Sequence, residues 1–339
     1  MRRALLRGAG LAIGALLLAL PTVGHAAPLA FPTTAAQIAP GQPVIAPAVT
    51  SATRSAPVTV VAAGDIACDP SNSLFNGGRG SGRYCRAAAV ENVIHAADPD
   101  GVLALGDEQY NVGKLKAFRR SYAKSWGQEL ARTYPVPGNH EYEASSRAYG
   151  YFTYFGSRSG PNPRGWYSVK LGSWRLIALN SNCWAVGGCS GGAPQYRWLR
   201  HLLATRPSEC SLAFMHHPLL SSGMHGDNES GARPLWKLLY HFGVDVALVG
   251  HDHIYERFAP VNAYGVKDKA HGIREFVVGT GGAMHYGIVK VHRYSQARNT
   301  RAFGVLRLTL RSGAYDWKFL PAGGATFSDS GTARCHAAP

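Results

Sequence analysis

Five apolar runs in this 339-residue sequence each stop at a polar group that can ligate a metal ion or carry a proton. Val60-Val61-Ala62-Ala63 leads into Gly64-Asp65, and Val102-Leu103-Ala104-Leu105 into Gly106-Asp107-Glu108-Gln109-Tyr110. Tyr134-Pro135-Val136-Pro137 leads into Gly138-Asn139-His140-Glu141. Further on, Leu212–Met215 precedes His216-His217-Pro218, and Ala247–Val249 precedes Gly250-His251-Asp252-His253. Asp, Asn, His and Tyr offer oxygen and nitrogen donors of hard to borderline character, which suit iron, manganese or zinc better than copper–thiolate chemistry. Asp65, Asp107, Tyr110, Asn139, His216, His251 and His253 exceed what one tetrahedral ion needs. Two ions about 3.5–4 Å apart that share a carboxylate would use them all. His251 and His253 are two residues apart, so on extended chain both rings face the same side. A lone Gly-Asp or Asn-His is usually a turn. Five such groups in order, each after an apolar run, argue for a built site.

For these groups to meet, the runs must be strands that end together. Open α/β sheets form their sites at the carboxyl ends of strands. Val58–Ala63, Val102–Leu105, Thr133–Val136, Leu176–Leu179, Leu212–Met215 and Val244–Val249 read as short buried strands. Arg86–Ala97, Lys114–Leu130, Pro194–Thr205 and Arg233–Phe242 read as helices, with Pro194 and Pro234 suited to a first turn. Arg274–Val278, Phe303–Leu310 and Tyr315–Leu320 are strand-like runs without helices between them, so the predicted class is α/β with an antiparallel end. The glycine before four of the five polar groups, at 64, 106, 138 and 250, is expected to let the backbone turn sharply.

Composition bounds the rest. Hydrophobic residues at 46% support a sizeable core and exclude wholesale disorder. Charged residues at 16% exclude a coiled coil or a basic tail. A net charge of +15 bears on partners and is silent on fold. Arg2, Arg3 and Arg7, the apolar run Leu11–Leu20 and Gly24-His25-Ala26 read as an export leader, residues 1–26, cleaved after Ala26. Its apolar run is too short to span a bilayer, so no integral membrane segment is expected after cleavage. Arg2-Arg3 fits either the general secretory or the twin-arginine route. Loss of the leader's three arginines lowers the charge to +12. Residues 27–57 hold six prolines and read as a Pro/Ala-rich tether, which leaves 58–339 as one catalytic domain. Six cysteines in an exported chain favour disulfides, and six allow 15 pairings. Proximity in sequence suggests Cys68–Cys85 and Cys183–Cys189, which leaves Cys210–Cys335.

The ordered set Gly-Asp, Gly-Asp-x-x-Tyr, Gly-Asn-His-Glu, His and Gly-His-x-His resembles the calcineurin-like metallophosphoesterase superfamily, and Tyr110 narrows the resemblance to its purple acid phosphatase branch. The resemblance implies a metallophosphoesterase-type four-layer sandwich, two mixed β-sheets flanked by helices, with metals at the C-terminal ends of the strands. It implies that Asp65, Asp107, Tyr110 and His253 hold Fe(III). Asp107, Asn139, His216 and His251 would then hold a divalent ion (Fe, Zn or Mn). His140 would orient substrate or donate a proton beside them. A second substrate-facing histidine is expected after the fourth motif; His225 is the candidate and His217 its rival. A phenol with a pKa near 10 becomes a ligand at neutral pH only beside a strongly polarising ion, so Tyr110 predicts a visible charge-transfer colour. Two positions depart from the branch's pattern: Ala67 stands where glycine is usual, and Ala213 where valine is.

The implied activity is that of an exported dinuclear phosphatase, which hydrolyses phosphate monoesters by attack of a metal-bound hydroxide. The alternatives are a phosphodiesterase acting on nucleotides, nucleic acid or cell-wall polymers, and a catalytically dead phosphate- or wall-binding protein. The expected partner is a small phosphorylated substrate; no DNA- or RNA-binding signature appears, so no stable nucleic-acid partner is expected. The protein would be secreted, periplasmic or attached to the cell wall. Gly77–Gly82 lacks the Lys-Ser/Thr of a P-loop and reads as a surface loop stapled between Cys68 and Cys85. Gly279-Thr280-Gly281-Gly282 either approaches the site or forms a tight turn, and Glu256-Arg257 reads as a structural ion pair.

Overall fold

The computed structural model describes residues 56–161, 164–228 and 231–339. The expected leader 1–26 and the tether 27–57 lie outside them, except for Ala56 and Pro57.

Alternating apolar residues build two sheets. β1 (Val58–Ala63), β2 (Gly101–Ala104) and β3 (Thr133–Pro135) run parallel in the first sheet. β4 (Tyr167–Leu171), β5 (Trp174–Ala178), β6 (Cys210–Phe214), β7 (Val246–Val249), β8 (Tyr255–Phe258), β9 (Arg274–Val278) and β10 (Ser295–Asn299) form the second. β11 (Gly304–Arg311), β12 (Ala314–Pro321) and β13 (Ser330–Arg334) return antiparallel to the first. The orders are β13-β12-β11-β1-β2-β3 and β10-β8-β9-β7-β6-β5-β4. Both sheets are mixed, with β5, β6, β7 and β9 mutually parallel. This is the four-layer α/β arrangement the resemblance implies.

Period-2 alternation assigns each side chain to a layer. Leu176, Leu212, Phe214, Val246 and Leu248 face the first sheet's Val60, Leu306, Leu308 and Phe319 in one core. Their neighbours Ile177, Ala213, Ala247 and Val249 pack outward with Leu199, Leu235, Trp236 and Leu239. Those come from two helices, α5 (Pro194–Thr205) and α6 (Arg233–His241). The first sheet is covered by α1 (Ala87–Ala97), α2 (Leu115–Arg120) and α4 (Tyr149–Phe155), while the short α3 (His140–Glu143) leads off from the third polar motif.

Two expectations change. The single helix read over Lys114–Leu130 ends at Arg120 and continues as 3-10 turns, Tyr122–Lys124 and Trp126–Arg132. The strand-end loops draw off its polar groups: the Tyr122 amide donates to the Gln109 side chain at Oε1 (3.1 Å), and the Ser121 hydroxyl donates to the Cys68 backbone carbonyl (2.7 Å). Glu256 and Arg257 do not pair. Adjacent strand residues face opposite ways, so Arg257 binds Asp329 while Glu256 accepts from the Ser222 amide and hydroxyl. The three disulfides are Cys68–Cys85, Cys183–Cys189 and Cys210–Cys335, as proximity suggested.

Candidate metal centre

The strand ends deliver their donors to one point. Asp65 follows β1, Asp107 and Tyr110 follow β2, and Asn139 follows β3; His216 follows β6, and His251 and His253 follow β7. The turn geometry differs from expectation. Of the glycines at 64, 106, 138 and 250 only Gly106 has positive φ, at 85°, while the ligand candidates Asp65 (61°), Asp107 (49°) and His251 (71°) carry the left-handed conformation themselves. The other glycines are required by close approach. A Cβ at Gly138 would lie 2.0 Å from Asp107 Oδ1, and one at Gly250 2.8 Å from Asp65 Oδ2. Gly279 is packed likewise against Asp252 and Asp65, so that glycine run does approach the site.

Two donor sets converge with Asp107 Oδ2 between them. On one side the Tyr110 hydroxyl lies 3.0 Å from Asp65 Oδ1, 3.0 Å from Asp107 Oδ2 and 2.8 Å from His253 Nε2. On the other, His216 Nε2 lies 3.4 Å from Asp107 Oδ2, 3.1 Å from Asn139 Oδ1 and 3.2 Å from His251 Nδ1. Ring orientation is fixed from behind: His216 Nδ1 sits 2.8 Å from the Leu105 carbonyl, and His253 Nδ1 2.8 Å from that of Met284. Each ring nitrogen that donates to a carbonyl leaves the other with a lone pair facing inward.

The donors fit a cation. One phenolic proton faces three acceptors, and His216 Nε2 would meet the Asn139 and Asp107 oxygens lone pair to lone pair unless a proton or a metal ion lay between them. Burial disfavours charge on His216, yet Asp107 and Asp65 raise its pKa to about 9, so the pocket holds enough negative potential to retain positive charge. Burial would push Asp107 up, but His216 and its neighbouring imidazoles pull it well below the usual carboxylate range. Without a cation, burial and the Asp107 and Asp65 carboxylates push Tyr110 well above its ordinary value. A bound cation reverses that sign.

His140 and His225 flank the cluster on its open side. The His140 ring packs 4.5 Å from that of Tyr110, with Nδ1 against the Asn111 carbonyl and Nε2 3.7 Å from Asp107 Oδ2. His225 is exposed, its ring 4.0 Å from that of His251. Its rival His217 is buried 4.4 Å from the same ring and bonded through Nδ1 to Ser181 Oγ (2.8 Å). Burial and then His216 push the His217 imidazole well below its ordinary value, which leaves it neutral within the wall of the site.

Three supporting residues escaped the sequence reading. Glu141 Oε2 accepts from the Asp107 amide (2.9 Å) and the Gly138 amide (2.8 Å) and joins the second and third loops; burial and Asp107 raise its pKa to about 7. Asp252, fully buried between two candidate ligands, accepts from the His225 amide (3.1 Å) and from the Ser221 hydroxyl. Tyr286 stacks on His253 with ring centres 3.9 Å apart. Glu141 and Asp252 stood in quoted motifs, but nothing in their spacing reveals which groups they would accept from.

A two-sheet α/β sandwich with such donors at its strand ends is the metallophosphoesterase fold. Residues 58–255, more than half of the chain, match the calcineurin-like phosphoesterase family, and the chain belongs to that family. The chain is 30% identical over 193 residues to human acid phosphatase type 7, covering 49% of this chain and 42% of that protein. It is 29% identical over 226 residues to a nucleotide pyrophosphatase/phosphodiesterase of Hordeum vulgare, covering 53% of this chain and 58% of the barley one. The chain thus spans less than two thirds of the length of the curated relatives it matches. Among solved structures it superposes on purple acid phosphatase PPD1 from yellow lupin with a TM-score of 0.64 at 20% identity, covering 83% of this chain and 54% of that one.

Proposed function

We propose that the chain is an exported dinuclear phosphatase that hydrolyses phosphate monoesters. The observation that carries this is the pair of donor sets meeting at Asp107 Oδ2, with His140 and His225 beside them. Asp65, Asp107, Tyr110 and His253 would hold Fe(III); Asp107, Asn139, His216 and His251 would hold Fe, Zn or Mn in the divalent state. Bound there, the ions would supply an activated water and neutralise phosphate charge. The chain's own groups supply orientation and a proton. The His140 amide donates to Asp107 Oδ1 (3.0 Å), which turns the other carboxylate oxygen toward both donor sets. The Asn111 carbonyl fixes the His140 ring so that Nε2 faces the space beside Asp107, from which it would protonate the departing alkoxide. His225 would orient a phosphate oxygen from the exposed side. Phosphoryl transfer needs mainly positioning and electrostatics, so no side-chain nucleophile is required. The export leader 1–26, the tether 27–57 and a single catalytic domain 58–339 complete the proposal, and paired cysteines support an oxidising destination.

The barley relative favours a second reading, diester hydrolysis, and one comparison separates the two. Purified protein should carry two metal ions and a visible absorption band from Tyr110, and it should turn over a nitrophenyl monoester faster than the bis-nitrophenyl diester. Asp107→Asn should abolish both activities; full activity in that variant would end the shared-carboxylate role. A reversed substrate preference would select the diesterase.

A further inference from the structure

A basic groove runs along α1. His285 stands between its Phe303 end and the donors: Nδ1 lies 3.1 Å from the His253 carbonyl, and the ring packs 4.0 Å from that of Phe303. Beyond Phe303 a cavity of about 350 Å³ is lined by Arg83, Arg86 and Arg301. It shares Arg86, Ala89 and Gly323 with a second cavity of about 720 Å³, lined also by Arg307 and Lys318. The helix that forms one wall is about 16 Å long at 1.5 Å per residue, longer than a single phosphate.

The five cations have no evident structural task. Among the described residues none of them makes an ion pair, and no carboxylate lines either of these two cavities; Asp316, paired with Arg311, lines a smaller adjoining cavity with Arg307 and Lys318. Arg307 and Lys318 are direct cross-strand partners in the β11–β12 ladder, and like charges placed opposite one another destabilise a sheet. Between the cations the lining is aliphatic, a floor shared by α1 and β12: Ala89, Val93, Ala97, Leu320 and Pro321. Single-stranded nucleic acid is held by exposed aromatic rings on which bases stack. Here the aromatic ring is Phe303, which is 7% exposed and packed against His285.

We propose that this groove binds a linear polyol phosphate, a phosphodiester chain with an aliphatic backbone, whose terminal monoester reaches the metal centre. The successive phosphates lie against Arg83, Arg86, Arg301, Arg307 and Lys318, and the aliphatic floor accepts the carbon backbone. The proposal rests on the phosphatase reading of the centre and names its substrate class.

The test uses the full chain, a synthetic glycerol-phosphate oligomer ending in a monoester, and nitrophenyl phosphate as a probe too small to reach the groove. Arg307→Ala/Lys318→Ala removes two contacts at residues whose ladder partners include no candidate ligand. Oligomer binding followed by fluorescence anisotropy should weaken roughly 3- to 10-fold, and the slope of log affinity against log salt should flatten by about 1.4. The KM for phosphate release from the oligomer should rise in parallel, with kcat unchanged and nitrophenyl phosphate turnover within about twofold of wild type. Arg307→Gln/Lys318→Gln should repeat the result with longer side chains and so exclude a packing defect. An unchanged salt slope, or an equal loss on both substrates, overturns the proposal. Equal affinity for an oligothymidylate of the same charge overturns the polyol assignment in favour of nucleic acid. A chain inactive on nitrophenyl phosphate, whose oligomer binding still depends on Arg307 and Lys318, sinks the phosphatase reading and keeps the groove.

Discussion

Asp107 holds together more of the site than any other side chain. Its Oδ2 lies within 3.4 Å of donors from both sets, its Oδ1 takes the His140 amide, and its own amide is held by Glu141. Its left-handed φ, like those of Asp65 and His251, costs on the order of 1–3 kcal/mol. Each of the three strained residues has its amide bonded: Asp65 to the Gly106 carbonyl, Asp107 to Glu141, and His251 to Asp65 Oδ2. Glu141 is therefore a positioning residue. Glu141 accepts from the Asp107 and Gly138 amides at Oε2 and from the Gln109 amide at Oε1, so Glu141→Gln must set its NH2 against at least one N–H donor, and metal affinity should fall about 10- to 100-fold. Titration of the metal-free protein would measure this. Activity should return at saturating metal, a rescue that a collapsed fold would not allow.

At the scale of elements, the antiparallel end of the first sheet is tied to the second through Asp329. It accepts from Arg257 Nε (2.7 Å) and Nη2 (3.0 Å), from the Tyr255 hydroxyl (2.7 Å) and from Trp317 Nε1 (3.2 Å). Burial opposes its charge, but the Arg257 and Tyr255 hydrogen bonds hold its carboxyl below the usual value. A depressed carboxyl contributes stability that is complete above its unfolded pKa and lost as pH falls through the folded one. Asp329→Asn should cost about 2 kcal/mol at neutral pH. That deficit should shrink below about pH 4, as urea titrations of both proteins at several pH values would reveal. Elements of this kind also mark the limit of what could be read from sequence. β1, β9 and α5 were legible to the residue because each has a sharp apolar or proline boundary. β10 (Ser-Gln-Ala-Arg-Asn) and β13 (Ser-Gly-Thr-Ala-Arg) were not, since edge strands with polar faces leave no alternation to detect. The seven donor candidates were legible because each follows an apolar strand. Glu141, Asp252 and Tyr286 act through contacts with residues of other loops, and no local pattern encodes those.

At the scale of the molecule, the donors are divided between the two sheets. Asp65, Asp107, Tyr110 and Asn139 belong to the first, and His216, His251 and His253 to the second. The layers otherwise meet through apolar packing and the Asp329 hydrogen bonds, with Cys210–Cys335 joining the start of β6 to the tail beyond β13 across 125 residues. Ions gripped from both sides would act as a rivet through the sandwich. Binding that occurs only in the folded state adds about 2.7 kcal/mol when free metal is 100 times its Kd. For a domain of this size, stripping the metal with a chelator should lower Tm by about 5–10 °C. Calorimetry could then rank candidate metals by how firmly they clamp the two halves, with no substrate in the cell.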